Sequence, residues 1–349
     1  MDFGARSYSF SQHEPPVVIA EVGVNHNGDP ALARRLLDAA LDAGADIVKF
    51  QAFRTEREIS RFAPLAPYQG AAVPDAGSQF ELCKALELPP SALADLQRRC
   101  RERGAGFLCS VFDFESFDFV FDGLGAKAVK LGSGELTNLP MLEHIARRKA
   151  QVILSTGGAT LAETGAAVAT LQHSGCEELV LLHCVSSYPA PVNEINLRAM
   201  GTLGRAFGLP VGFSDHTLGV ETALAAAGLG AVAIEKHFTL DRGMKGPDHR
   251  ASALPEELRR LADGARTVWS ALGDGDKKPA PCEAANVPLI RKGLVAARRL
   301  EKGTRLTREL IDIKRPAHGI APGELARVLG RELGRALEAD EPITWTSLA

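Results

Sequence analysis

Two segments of the 349-residue chain end an apolar run with an imidazole: Gly212-Phe-Ser-Asp-His-Thr-Leu-Gly219 carries His216, and Ile234-Glu-Lys-His-Phe238 carries His237. Brought to one place, two imidazoles suit a divalent metal whose other positions are filled by carboxylate, water or substrate oxygens. Two protein nitrogens with open positions describe a catalytic centre better than a structural one. A single histidine at a strand end is more often a hydrogen-bonded structural residue, so the inference rests on the pair. Lys49 and Lys130 also lie near the ends of apolar runs, as do Ser110, Ser133, Ser155 and Ser214. Ammonium groups supply charge, and hydroxyls and helix-start N–H groups supply directed donors, a combination that suits a phosphate. Taken alone, each lysine could equally snorkel or pair with a neighbouring carboxylate, and Ser155-Thr156-Gly157 could cap a helix. Glu21 ends the first run and can act as an acid or base, or cap a loop. Asp215, beside His216, is expected to support the metal site from behind.

These residues need elements that aim them at one point. Eight short β-rich runs, 17–22, 46–50, 106–111, 128–131, 152–155, 179–183, 211–213 and 231–236, alternate with amphipathic helical patterns at 31–44, 92–104, 141–149, 161–175, 197–208, 221–230 and 255–273. The runs start roughly 31 residues apart on average, the length of a βα unit, so the spacing predicts a (β/α)₈ TIM barrel. A doubly wound open sheet is the competing architecture, but the Gly-rich dinucleotide turn it often carries is missing after the first run. In barrels the reacting groups sit at the carboxyl ends of the strands, and each run here ends in something polar. The stretch 52–90 is expected to form an extended loop over the barrel mouth.

Residues 274–290 are rich in Asp, Lys, Pro and Ala without periodicity, which predicts a linker after a domain spanning 1–273. From 291 to 349, brief apolar runs broken by turns predict a small second domain, too small for a generous core. The balance of 40 Lys+Arg against 43 Asp+Glu, with no basic stripe, speaks against nucleic acid. No segment reaches the apolar length of a membrane span and the first residues lack a signal-peptide core, so no membrane partner and a cytoplasmic protein are expected. The six cysteines are scattered without framework spacing and read as reduced thiols, mostly core.

In order along the chain, IAEVGVNHNGD, VKFQAF, KLGSGELTNLP, ILSTGG, LLHCVSSYPAP, GFSDHTLG, IEKHFTLDR with GPDH, and KRPAHGIAP resemble the N-acetylneuraminate (sialic acid) synthase family, from about residue 17 to the C-terminus. The resemblance implies a barrel joined to a small antifreeze-like (SAF, β-clip type) domain. It also implies condensation of phosphoenolpyruvate with an open-chain N-acetylhexosamine, N-acetylmannosamine first, to give a nine-carbon 2-keto acid and phosphate. His216 and His237 would hold a divalent metal, most often manganese, with magnesium or cobalt as alternatives. Lys49, Ser110, Lys130, Ser133, Ser155 and Ser214 would form the phosphoenolpyruvate pocket. Glu21 would lie near the reacting aldehyde and be the catalytic candidate, with Gln51, Tyr188 and Asp248 near the sugar. Arg315 would reach the N-acetyl group from the partner subunit of a homodimer, the small domain covering the partner's barrel.

Gly158 stands where the family has a methionine, Val111 where it has a proline, and Ala317 where it has a glycine. Val185 stands where the family has a threonine and Ser186 where it often has a longer polar residue, in what is read as the sugar-side loop, leaving the sugar open. The alternative within the family is an N,N′-diacetyllegionaminate or pseudaminate synthase acting on a diacetamido-trideoxyhexose; a sugar 6-phosphate has no dedicated second basic cluster to bind it. A non-catalytic carbohydrate-binding protein would have lost His216, His237, Lys49 or Lys130. A metal-dependent hydrolase would show more His/Asp ligands and has no use for two phosphate lysines.

Overall fold

Eight parallel strands, β1 (Val17–Gly23), β2 (Ile47–Ala52), β3 (Gly106–Val111), β4 (Ala128–Leu131), β5 (Gln151–Ser155), β6 (Leu179–Cys184), β7 (Val211–Asp215) and β8 (Ala233–His237), close into a barrel in sequence order. The computed structural model describes residues 1–73 and 77–349, which separate into two units, Met1–Gly273 and Asp274–Ala349. Each expected strand is present, as are helices at Pro30–Asp42, Pro90–Glu102, Leu139–Arg147, Leu161–His173, Ala199–Phe207, Glu221–Gly228 and Pro255–Leu272. The connection from β3 to β4 carries a helix of only five residues, Phe114–Asp118, followed by a wider turn, Phe119–Gly123. Sequence periodicity did not mark it, because so short a helix completes too few turns to show a repeat.

Alternation along the strands sorts side chains into two environments. Val17 and Ile19 of β1, Ile47, Leu108, Ala128, Ile153, Val180 with Leu182, and Ala233 form one apolar cluster inside the barrel, joined by Met1 and Phe3 from the N-terminal segment. The residues between them, such as Val18, Val48, Cys109, Val129, Leu154, Leu181 and Phe213, belong to the larger cluster shared with the helices. Gly212 holds an inward position at which a Cβ would lie 2.6 Å from the Ala233 carbonyl oxygen and 2.7 Å from Leu182 Cδ2, so only glycine lets β7 pack there.

The stretch 52–90 breaks into three short helices, Thr55–Glu58, Pro67–Ala72 and Gln79–Leu86, with 74–76 outside the described residues. Val24, Phe53, Leu82 and Leu86 form a small cluster beneath it. In the second unit, β9 (Gly293–Ala296) pairs antiparallel with β10 (Ile311–Lys314) over a core that includes Leu294, Leu306, Ile320 and Ile343. The expected linker 274–290 contains helical turns at Pro281–Glu283 and Val287–Ile290 and belongs to this unit. All six cysteines are unpaired. Among the described residues, no helix is long and apolar enough to cross a membrane.

Candidate active site

The carboxyl ends of the strands open into a cavity of about 280 Å³. Two residues beyond the apolar layer, each strand turns one side chain inward: Glu21, Lys49, Ser110, Lys130, Ser155, Cys184, Ser214 and Glu235, all of which line the cavity. Gln51, Ser133, Tyr188, His216, His237 and Asp248 line it as well, so the structure brings together every barrel residue singled out from the sequence as a site candidate. Arg315 lies in the second unit, exposed just past β10. Register holds neighbours level: Glu21 pairs with Lys49 on one side and His237 on the other, Ser110 with Lys130, and Ser214 with Glu235.

The two lysines have different surroundings. Lys49 is buried between carboxylates, 3.0 Å from Glu21 Oε2 and 3.4 Å from Glu235 Oε2, and donates to Ser110 Oγ at 2.9 Å. Burial works against its charge, but Glu21 and Glu235 outweigh that and raise its pKa. Lys130 donates to Ser155 Oγ at 2.6 Å and to the Leu131 carbonyl at 3.0 Å, and forms no carboxylate ion pair among the described residues. Burial lowers its pKa. Nearby, Ser133 Oγ accepts from the Gly157 N–H at 2.9 Å and lies 3.1 Å from Cys184 Sγ. A Cβ on Gly157 would fall 2.4 Å from Ser186 Oγ and 2.8 Å from both Cys184 Sγ and Ser133 Oγ, so glycine allows three polar side chains to converge. The helix-cap role considered for Ser155-Thr156-Gly157 goes to Thr160, whose Oγ1 accepts from the Glu163 N–H at 3.2 Å, leaving Ser155 to Lys130. A buried ammonium with hydroxyls and no counter-charge at contact is a site for an anion.

The two inner carboxyls are pushed apart. Burial raises Glu21, Lys49 pulls against it, and the Glu235 charge raises it again, with a net upward shift. Burial acts on Glu235 too, but the Lys130 and Lys49 charges prevail and hold it down at about 2. Gln51 Nε2 donates to Glu21 Oε1 at 3.0 Å, and Ser214 Oγ donates to Glu235 Oε1 at 3.0 Å. Among the described residues the remaining oxygen of each is buried without an aligned hydrogen-bond donor, since Lys49 lies at ion-pair distance but off the bonding direction.

His216 Nδ1 donates to the Val185 carbonyl at 2.7 Å, which leaves a lone pair on Nε2. His237 Nδ1 is buried, has no hydrogen-bond partner among the described residues and lies 3.8 Å from Asp248 Oδ2. Burial lowers the pKa of both rings, so both are neutral bases. Their centroids are 5.4 Å apart, and the Tyr188 ring packs on His216 at 4.2 Å and edge-on to His237 at 5.5 Å. Burial and the Glu21 charge push Asp248 up to about 7. Two neutral imidazoles, one with its tautomer set by a carbonyl and one with an orphaned nitrogen, fit a divalent metal. Among the described residues no group of three or more His, Cys, Asp or Glu side chains has ligand spacing, so such a metal would keep open positions.

Asp215 departs from expectation. Its Oδ2 accepts from Lys236 Nζ at 2.7 Å and its Oδ1 from the Thr217 N–H and Oγ1 at 2.9 and 2.8 Å, and it bonds to neither imidazole. Successive strand residues face opposite ways, so Ser214 enters the cavity and Asp215 turns outward. Val185 likewise packs its side chain against the core and offers only its carbonyl, so Ser186 alone of that pair lines the cavity. His183 turns outward and donates Nε2–H to the Ile195 carbonyl at 2.7 Å. Asn25 Nδ2 joins the loops after β1 and β8 by donating to the Phe238 carbonyl and Ser252 Oγ. Glu235 was missed as a site residue, although the two-residue step from Ala233 through Glu235 to His237 marks it. Ser186, read from sequence as a sugar-side residue, does line the cavity, whereas Cys184, Glu58 and the apolar wall from the long loop were missed, and the loop residues have no periodicity that could have revealed them.

A closed (β/α)₈ barrel whose polar cavity opens at the strand carboxyl ends has the architecture of barrel enzymes. The chain belongs to the NeuB family, whose model matches residues 36–277, and a SAF domain matches residues 291–349. It is 44% identical to an N,N'-diacetyllegionaminic acid synthase of Campylobacter jejuni, across 94% of this chain and 98% of that protein. It is 42% identical to an N,N'-diacetyllegionaminic acid synthase of Legionella pneumophila, across 94% of this chain and 93% of that one. Among solved structures, an N-acetylneuraminic acid (sialic acid) synthetase of Leptospira borgpetersenii is similar at 34% identity and a TM-score of 0.69, covering 78% of this chain and 90% of that chain. The protein is therefore an enzyme of the nonulosonic acid synthase kind, with the barrel and SAF domain expected from its motifs.

Proposed function

We propose that this enzyme condenses phosphoenolpyruvate with the open-chain aldehyde of an acylated amino sugar, releasing phosphate and forming a nine-carbon 2-keto acid. The observation that carries this reading is the meeting, in one cavity, of the Lys130 ammonium, bonded to a hydroxyl with no carboxylate in contact with it among the described residues, and two neutral imidazoles. Lys130, Ser155 and Ser133 would hold the phosphate, with Lys49, Ser110 and Ser214 bordering it. Fixing both substrates turns a three-component encounter into one oriented complex. The vinyl carbon of phosphoenolpyruvate bonds to the aldehyde carbon, water adds at the enol carbon, and phosphate departs with C–O cleavage. A divalent metal on His216 and His237, manganese first, would supply Lewis acidity toward the aldehyde oxygen. Glu21, oriented by Gln51, is the candidate for moving the proton, while Glu235 stays anionic as counter-charge to the lysines. Gln51, Tyr188 and Asp248 would face the sugar, and Arg315 would reach it from the partner of a homodimer. Six free thiols support a cytoplasmic setting.

For the sugar, a diacetamido-trideoxyhexose ranks first, supported by the similarity to the two legionaminic acid synthases. N-acetylmannosamine is the second reading, supported by the sialic acid synthetase structure. Phosphate release from phosphoenolpyruvate is the test, with the two sugars and N-acetylmannosamine 6-phosphate offered in parallel, with manganese and with EDTA. Release that depends on sugar and on metal is expected. No release with any sugar sinks the reaction, and full release in EDTA sinks the metal. A fully active monomer in gel filtration would remove the partner role of Arg315.

A further inference from the structure

The cavity has two unlike halves. Its floor carries the charges, whereas its outer wall is built by Val24, Phe53, Leu82 and Leu86, with Cys83 and Phe112 packed against them. Into this wall the helix Thr55–Glu58 sets a single carboxyl, Glu58, which also lines the cavity. Among the described residues the Glu58 carboxyl has no hydrogen-bond donor or cation as partner. The charged groups acting on it are the carboxyls of Glu135, Asp113 and Glu87; burial first, and then those three, push it up to about 8. At neutral pH it is a carboxylic acid and an O–H donor.

Cations are distributed just as unevenly. The described lining residues include two, Lys49 and Lys130, and both stand on the floor. A phosphate on the far end of a sugar would meet an apolar surface and acidic neighbours there, with no ammonium group to neutralise it. A methyl group would instead lose water-exposed surface against Phe53, Leu82 and Leu86. An amide carbonyl would give the Glu58 O–H the acceptor it lacks.

We propose that this outer wall selects the sugar: Glu58 donates a hydrogen bond to the carbonyl oxygen of an acylamino group on the end remote from the aldehyde, and the adjoining methyl of a deoxy sugar packs on Phe53, Leu82 and Leu86. The inference rests on the condensation reading above and names Glu58 as its specificity-determining residue.

The test compares kcat/KM for the diacetamido-trideoxyhexose, N-acetylmannosamine and N-acetylmannosamine 6-phosphate in manganese-loaded wild type, Glu58→Ala and Glu58→Gln. In Glu58→Ala, kcat/KM for the diacetamido sugar should fall roughly tenfold to a hundredfold, mainly through KM, and that for N-acetylmannosamine should stay within about threefold. Glu58→Gln, whose NH₂ can still donate, should recover most of the loss, and an unchanged KM for phosphoenolpyruvate shows that the site is intact. Equal losses on both sugars, no loss on the diacetamido sugar, or a wild type that prefers the 6-phosphate would each overturn the inference while leaving the reaction standing. A wild type that releases phosphate with no sugar overturns the reaction and the inference together.

Discussion

The barrel holds two buried charge clusters, one turned outward from β7 and β8 and one turned inward from β1, β2, β4 and β8. On the outside, Lys236 and Asp215 meet at 2.7 Å, Lys236 also donates to the Thr217 carbonyl, and Asp215 accepts twice from Thr217. On the inside, Lys49 lies off-axis between Glu21 and Glu235, and among the described residues Lys130 has no carboxylate at contact and three buried atoms, Glu21 Oε2, Glu235 Oε2 and His237 Nδ1, lack hydrogen-bond partners. The same residue types do two jobs. Where every buried polar side-chain atom has a partner, the cluster braces the fold; where some have none, it waits for a substrate or a metal.

That contrast can be broken by variants of either cluster. Lys130→Met should lower phosphate release about a thousandfold or more, since it removes the ammonium proposed to hold the leaving phosphate, while the melting temperature changes little. A strong loss of stability with near-normal turnover would assign Lys130 to the bracing class. Asp215→Ala should do the reverse: urea denaturation should show a loss of about 3–5 kcal/mol, because Lys236 is left buried and unpaired, while kcat of the folded fraction stays near normal. Glu21→Gln should depress turnover about a hundredfold and leave metal binding, read by calorimetry, unchanged. Normal turnover there would remove Glu21 from the mechanism.

The smallest effect expected is on the pH dependence of stability. Glu58 has a folded-state pKa of about 8 against an ordinary 4.5, so the folded protein binds the extra proton between those values. Its contribution is therefore complete below about 4.5 and is lost as pH rises towards 8. Urea denaturation of Glu58→Gln should match wild type in acid and show a shallower decline up to pH 8. Parallel curves would mean that Glu58 is more solvated than its apolar wall implies.

Much of the barrel was legible because it repeats. Runs such as Val17–Gly23 and Ala128–Leu131 are β-rich and carry a polar residue near the carboxyl end, Glu21 and Lys130, and their regular spacing points to βα units. His216, His237, Lys130 and Ser155 were found for the same reason, as polar residues closing apolar runs. The long stretch 52–90 resisted reading because Glu58, Leu82 and Leu86 reach the cavity from short helices tied by tertiary contacts, with no period of their own. Asp215 is adjacent to His216 in sequence but not in function, because alternate residues of a strand face opposite sides and Asp215 bonds to Lys236 and Thr217.

The sequence by itself determined the eight-unit barrel, the small domain that follows it and the inventory of lysines, hydroxyls and imidazoles at the strand ends, since these follow from local periodicity and from side-chain type. Tertiary structure alone decided which lysine touches carboxylates and which touches a hydroxyl, because that depends on how the strands align: Glu21 is level with Lys49, whereas Lys130 meets Ser155. It also decided that the Val185 carbonyl sets the His216 tautomer, and that Ser214 and Asp215, neighbours in the chain, face opposite sides of one strand. The charge state of a buried group is set by what surrounds it in space, and a linear sequence carries that information only through the fold.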